Sequence, residues 1–151
     1  MNLTSNKFQQ FLPISVEEAW NFFSRPENLN EITPDDMGFE ILTQDIPEMH
    51  QGMIIQYNVT PFPMVKMNWV TEITHVEPYK MFVDEQRYGP YSFWHHQHHF
   101  EEHEDGVLMT DILHYKVPLG FVGKLIDTSV VRKKVNAIFK HREEVLLNKF
   151  G

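Results

Sequence analysis

Tyr91-Ser92-Phe93-Trp94-His95-His96-Gln97-His98-His99-Phe100 is the stretch from which the rest of this chain can be placed. Side chains on an extended strand alternate between faces. Trp94, His96, His98 and Phe100 therefore share one face, and Phe93, His95, Gln97, His99 and Glu101 the other. Two large aromatics bracket the first set, which marks it as the inward one. The next strand divides likewise, with Met109, Asp111, Leu113 and Tyr115 on one face and Leu108, Thr110, Ile112 and His114 on the other. A hairpin pivoting near Glu104-Asp105 sets Phe100 opposite Met109, His98 opposite Asp111, His96 opposite Leu113 and Trp94 opposite Tyr115. A slip of one residue would break all four matches. The preceding strand offers Phe82, Asp84 and Gln86 at the same spacing. The expectation is an aromatic inner sheet surface holding a polar cluster of His96, His98 and Asp111, with Asp84 and Gln86 beside it.

Outward from this hairpin, the period of two extends back to Phe39. Phe39–Thr43, Met53–Thr60, Met64–Val76, Met81–Arg87, Tyr91–Glu101 and Val107–Val117 read as strands, separated by turn signals such as Pro61-Phe62-Pro63 and Gly89-Pro90. Such short connections favour antiparallel neighbours. Lys7 to Leu12 reads as an earlier strand. Ser15-Val16-Glu17-Glu18 is a capping-box pattern opening a short helix through Trp20 and Phe23. Pro26 opens a second short helix that ends before Pro34. After Pro118-Leu119-Gly120, a mainly apolar series steps by three or four through Phe121, Leu125, Thr128, Val131, Val135, Ile138, Arg142 and Val145. That stripe predicts a helix of roughly 29 residues, about 43 Å long. Only the sheet offers a surface large enough to cover it. The fold class is α+β: one domain over residues 1–151, with a curved antiparallel sheet wrapped around a long C-terminal helix and two short helices after the first strand.

With 151 residues, the chain can bury about 70% of its unfolded surface without disulfides or a structural metal. It contains no Cys, which removes thiol nucleophiles, Cys-based zinc sites and iron–sulfur clusters together. A formal charge of −8 argues against general nucleic-acid binding and against docking on anionic lipid. No apolar run is long enough to span a membrane, and MNLTSNKFQQFLPIS lacks the apolar core of a secretory signal. A cytoplasmic location is the default expectation.

Buried polar groups cost about 1–3 kcal/mol each unless paired, so the cluster must either satisfy itself or serve a ligand. Three readings stay open. His98 and Asp111 are a structural pair in a core. Alternatively, the inward polar groups orient a small, largely apolar ligand in a cavity. The third is chemistry, with His96 or His98 as general base oriented by Asp111, or His96-x-His98 and a carboxylate holding Zn²⁺ or Fe²⁺. For the metal reading a third ligand with diagnostic spacing is missing. His95, His99, His103 and His114 read as a solvated outer surface, and no glycine motif cradles a phosphate. Arg142 falls on the apolar stripe of the last helix. The simpler reading is a packed stem with its head in water; the other is an anchor for an anionic ligand group or an internal carboxylate.

The order of elements also carries a family resemblance. Pro26-Glu27-Asn28-Leu29 with Thr33-Pro34, Phe82-Val83-Asp84-Glu85-Gln86, Gly89-Pro90-Tyr91, Trp94-x-His96-x-His98-x-Phe100, Asp111 with Tyr115-x-Val117-Pro118-x-Gly120, and Phe139-Lys140-His141-Arg142 resemble the SRPBCC superfamily. This is the START-like, birch-pollen-allergen-like helix-grip fold, and the resemblance is to its polyketide-cyclase and ligand-binding branch. It implies a deep apolar cavity between sheet and C-terminal helix, taking lipids, sterols, polyketides, quinones or plant hormones. It also implies that Trp69, Trp94, His96, His98, Asp111, Tyr115 and Arg142 line that cavity. Asp84 and Gln86 join them as ligand-binding candidates on their spacing. The family has no general catalytic motif to transfer. The expected function is binding of a small hydrophobic or amphipathic molecule by a monomer or homodimer without cofactor. The alternative is an enzyme of the cyclase, dehydratase or hydrolase type using a His/Asp pair. A partner-binding module would need an exposed apolar patch that the sequence does not advertise.

Overall fold

A computed structural model describes residues 3–118 and 128–151. The strands are β1 (Thr4–Leu12), β2 (Glu40–Ile41), β3 (Ile54–Phe62), β4 (Val65–Glu77), β5 (Met81–Tyr88), β6 (Phe93–His103) and β7 (Gly106–Lys116). They form one antiparallel sheet in the order β1-β7-β6-β5-β4-β3-β2. Between β1 and β2 lie α1 (Val16–Phe23), a 3₁₀ turn (Pro26–Asn28), α2 (Leu29–Ile32) and a second 3₁₀ turn (Asp35–Met37). The chain ends in α3 (Thr128–Phe150). The helix-grip α+β architecture expected from the sequence is the one observed.

Local chemistry accounts for these elements. Ser15 caps α1 by accepting from the backbone N–H of Glu18 at 3.1 Å, and α1 turns Val16, Ala19, Trp20 and Phe23 inward. The β6–β7 register is the one the aromatic pattern dictates: Trp94↔Tyr115, His96↔Leu113, His98↔Asp111 and Phe100↔Met109. β1 pairs with β7, the strand furthest from it in sequence, and so closes the edge of the sheet beside the central hairpin. Gly106 permits that closeness, because a Cβ there would run into the Leu12 carbonyl and the Phe11 ring.

Several strand boundaries differ from the sequence expectation: β1 starts earlier, at Thr4, β2 is only Glu40–Ile41, and β6 runs from Phe93 to His103. β3 runs on through Pro61 to Phe62, and the turn into β4 is the two-residue Pro63-Met64. A register shift between Val59 and Phe62 accommodates the proline, which cannot donate to a regular ladder. The last helix is described over Thr128–Phe150, 23 residues, about 34 Å. The expected helical positions Phe121 and Leu125 lie outside the described residues.

The apolar core is divided among three clusters. Leu12, Val16, Ala19, Trp20, Phe23, Phe82, Phe100, Val107, Met109 and Leu146 join α1, the C-terminal half of α3 and the central strands. Ile55 and Tyr57 on β3, Ile73 on β4 and Met53 just before β3 form a second cluster. Leu113, Tyr115, Val131 and Val135 seat the N-terminal half of α3 on β7. The helix is thus held at both ends. Leu146 is fully buried in the first cluster, so Leu146→Ala should cost about 2–5 kcal/mol. Urea denaturation measures this; a loss below about 1 kcal/mol would mean that the helix is not seated as described.

Candidate functional site

Three neighbouring strands bring the central polar side chains together. β6 supplies His96 and His98 on its inner face, β5 supplies Asp84 opposite His96, and β7 supplies Asp111 opposite His98. The short bonds run along the diagonals instead of between these backbone partners. His96 Nε2 lies 2.8 Å from Asp111 Oδ1, and His98 Nε2 lies 2.5 Å from Asp84 Oδ2. The opposed pairs are looser: His96 Nδ1 is 3.6 Å from Asp84 Oδ2, and His98 Nδ1 is 3.3 Å from Asp111 Oδ1. The last contact is within ion-pair range but lacks hydrogen-bond geometry, so His98 Nδ1 is buried without a hydrogen-bond partner.

Ring packing explains the crossing. The two imidazoles lie 3.7 Å apart between centroids at a tilt of 31°, and Phe82 stacks on the His98 ring at 4.1 Å. This packing leans the rings together and aims each at the carboxylate diagonal to it. Trp94 Nε1 completes Asp84 by donating to Oδ1 at 3.3 Å. Arg142 reaches in from α3, its guanidinium 3.4 Å from Asp111 Oδ1 and 5.0 Å from the centre of the Phe23 ring. The snorkelling position expected for Arg142 is therefore corrected. Its side chain is only 12% exposed, because Asp111 and the aromatic faces offer its charge an internal partner.

Charge balance follows from this geometry. Burial pushes Asp111 up, but Arg142 and the two imidazoles outweigh it and hold the carboxyl well below its usual range. Asp84 is likewise lowered: burial opposes its charge, and His96 and His98 reverse the balance. Burial also opposes the His98 charge, yet the carboxylates of Asp111 and Asp84 together raise this group above the usual imidazole value. His96 is lowered, first by burial and then by repulsion from His98. The geometry thus sets two carboxylates against the Arg142 guanidinium, favours the charged form of His98 and favours the neutral form of His96.

Beside this group lies a cavity of about 420 Å³ between the sheet and α3. All three core clusters contribute to its wall, through Phe23 and Phe82, through Ile55, Tyr57 and Ile73, and through Val131. Of the residues singled out from sequence, Trp69, Asp84, Trp94, His96, His98 and Arg142 are on this wall. Asp111 stands behind the histidines and faces a smaller pocket between β1 and α3. Tyr115 is packed in the core under α3. Gln86 is occupied by the backbone of Tyr91, donating to its carbonyl at 2.6 Å and accepting from its N–H at 3.0 Å; it braces the Gly89-Pro90 turn. Sequence reasoning missed a second polar group on the wall. Thr71 accepts from Trp69 Nε1 at 3.0 Å and contacts the Tyr57 hydroxyl, which burial pushes above the ordinary phenol range. A threonine alternating with Trp69 and Ile73 on an inward face was the available signal.

A model of the polyketide cyclase / dehydrase and lipid transport family matches residues 12–139. The chain belongs to that family. Solved structures share the family fold at low identity. A Chromobacterium violaceum protein, CV1439, is 11% identical with a TM-score of 0.72, covering 97% of each chain. TTHA0849 from Thermus thermophilus is 15% identical with a TM-score of 0.68, covering 97% of this chain and 99% of that one. Ara h 8.0201 is 12% identical with a TM-score of 0.60, covering 97% and 99%. No curated protein matches the chain in sequence. Among the described residues no helix is long and apolar enough to cross a membrane.

Asp111 gives the cluster a testable signature. Its depressed carboxyl contributes stability that is present above the unfolded value near about pH 4 and is lost as pH falls through the folded value. For His98 the sign is opposite: its contribution is complete below about pH 6.5 and fades as pH rises through its raised value. Asp111→Asn leaves the buried guanidinium unmatched and should cost about 3 kcal/mol at pH 7. In urea denaturation across an acid series, the gap between variant and wild type should narrow below about pH 4. A gap independent of pH would remove Asp111 from this role.

Proposed function

We propose that the chain binds a small, largely apolar molecule in the cavity between sheet and α3, with the polar part of the molecule directed at Asp84, His96, His98 and Arg142. The observation that carries this reading is the distribution of the wall. Most of it is aliphatic or aromatic, and its charged groups gather mainly at one place on the central strands. A volume of about 420 Å³ falls within the range of about 300–1,000 Å³ typical of small-molecule sites. Trp69, Tyr91 and Trp94 stand against one another at centroid distances of 4.8 to 5.7 Å, a surface suited to flat or ring-bearing ligands. The family description, which joins cyclase and dehydrase activities with lipid transport, supports ligand binding of this general kind.

A second reading, acid–base catalysis on the bound molecule, is favoured by the unequal histidines. Neutral His96 faces the cavity and is oriented from behind by Asp111, while His98 carries a proton beside it. Two like groups with values driven apart suit a base and an acid.

Ile138 projects from α3 into the cavity, so Ile138→Trp should fill it at a cost of about 1–3 kcal/mol. Native mass spectrometry after incubation with a panel of sterols, fatty acids and aromatic polyketides reads the effect. Wild type should retain one ligand per chain, and Ile138→Trp should lose it while remaining folded. Equal retention by the two proteins would place binding elsewhere. A ligand changed in mass by wild type but only retained by His96→Gln would establish the catalytic reading.

A further inference from the structure

We propose that Asp84, His96 and His98 form a site for one divalent first-row transition metal ion of the Zn²⁺ or Fe²⁺ kind, open to the cavity on its remaining side. One donor atom from each residue falls within a span of 4.8 Å. His96 Nδ1 and His98 Nε2 both face Asp84 Oδ2, at 3.6 and 2.5 Å. Ligands about 2.0–2.1 Å from a four-coordinate ion stand roughly 3.3 Å from one another. The set is therefore close to binding size and needs only a small turn of the Asp84 carboxylate and the His98 ring. Two imidazoles and one carboxylate suit zinc or iron better than the oxygen-seeking Mg²⁺ or Ca²⁺.

Two further observations point to an ion. Asp111 sits behind both histidines, 2.8 Å from His96 Nε2 and 3.3 Å from His98 Nδ1, and is itself held by Arg142. A carboxylate on the far nitrogens fixes the tautomer that leaves the near nitrogens free to ligate. His98 Nδ1 is buried and lacks a hydrogen-bond partner, a condition native structures seldom leave uncorrected. Swinging His98 Nε2 away from Asp84 and onto an ion turns Nδ1–H toward Asp111. The change that completes the coordination set also satisfies the orphaned atom. The site lies at the polar end of the proposed ligand cavity but does not depend on what fills the apolar remainder.

The test titrates Co²⁺ into chelator-treated full-length protein and follows the visible absorption of nitrogen- and oxygen-ligated cobalt. Wild type should saturate at one ion per chain. Asp84→Asn and His96→Gln should each weaken binding by 100-fold or more, and Asp111→Asn by about 10- to 100-fold. A His95→Ala/His99→Ala variant on the opposite sheet face should bind as wild type does. Near-UV circular dichroism checks that each variant is folded. In wild type alone, proton NMR of the cobalt form should show two strongly shifted exchangeable imidazole signals, from His96 Nε2–H and His98 Nδ1–H. No stoichiometric binding by wild type, or binding kept by Asp84→Asn and lost in the His95/His99 variant, would overturn the proposal. Retention of an apolar ligand by metal-free protein is measured separately, so failure of the metal site leaves the cavity reading standing.

Discussion

The structure turns on a single arrangement, two carboxylates and two imidazoles crossed over three adjacent strands and closed by an arginine from the helix. None of these charges is tolerable alone at this depth, where removing one partner of a buried pair costs about 3–5 kcal/mol. Together they offset one another, and each member has a partner from another strand or from the helix. Because Asp84, the histidines and Asp111 belong to β5, β6 and β7, the cluster ties the register of the central sheet to the seating of α3. A shift of any one element would strand a charge. The sheet therefore gains specificity of assembly as well as a polar feature.

The cavity follows from the way the core is distributed. The apolar clusters at the two ends of α3 hold it away from the middle of the sheet, and the third cluster lines the far strands. What remains between them is lined by all three and floored in part by the charged cluster. Lys134, whose Nζ donates to the carbonyl of Pro61 and lies over the Phe62 ring, ties α3 to the β3–β4 hairpin at the same cavity. The hairpin and the helix thus share its boundary, which makes access to the interior a property of their contact.

Much of this was legible in the sequence, for identifiable reasons. A period of two with aromatic brackets fixes a strand register strongly, because a slip reverses every face; hence His98 opposite Asp111 and Trp94 opposite Tyr115. The diagonal bonding was not legible, since it depends on the packing of His96, His98 and Phe82 and on rotamers that no spacing specifies. Gln86 shows another limit. Alternation placed it on the inner face with Asp84, but the nearby turn offered Tyr91 backbone groups that satisfy both ends of its amide. Helical periodicity put Arg142 on the buried stripe without saying whether its head reached water or a carboxylate. Only the packing of Phe23 and Asp111 against it decides that. The place of β1 beside β7 also escaped, because pairing between the ends of a chain leaves no local pattern.

The central claim is that the cluster holds one imidazolium, at His98, and one neutral imidazole, at His96. Nitrogen-15 NMR of the histidine rings in metal-free protein at neutral pH tests it most directly. The account predicts both nitrogens of His98 protonated, with only Nε2 protonated in His96, the proton lying toward Asp111. Both rings neutral, or the charge found on His96 instead, would contradict it.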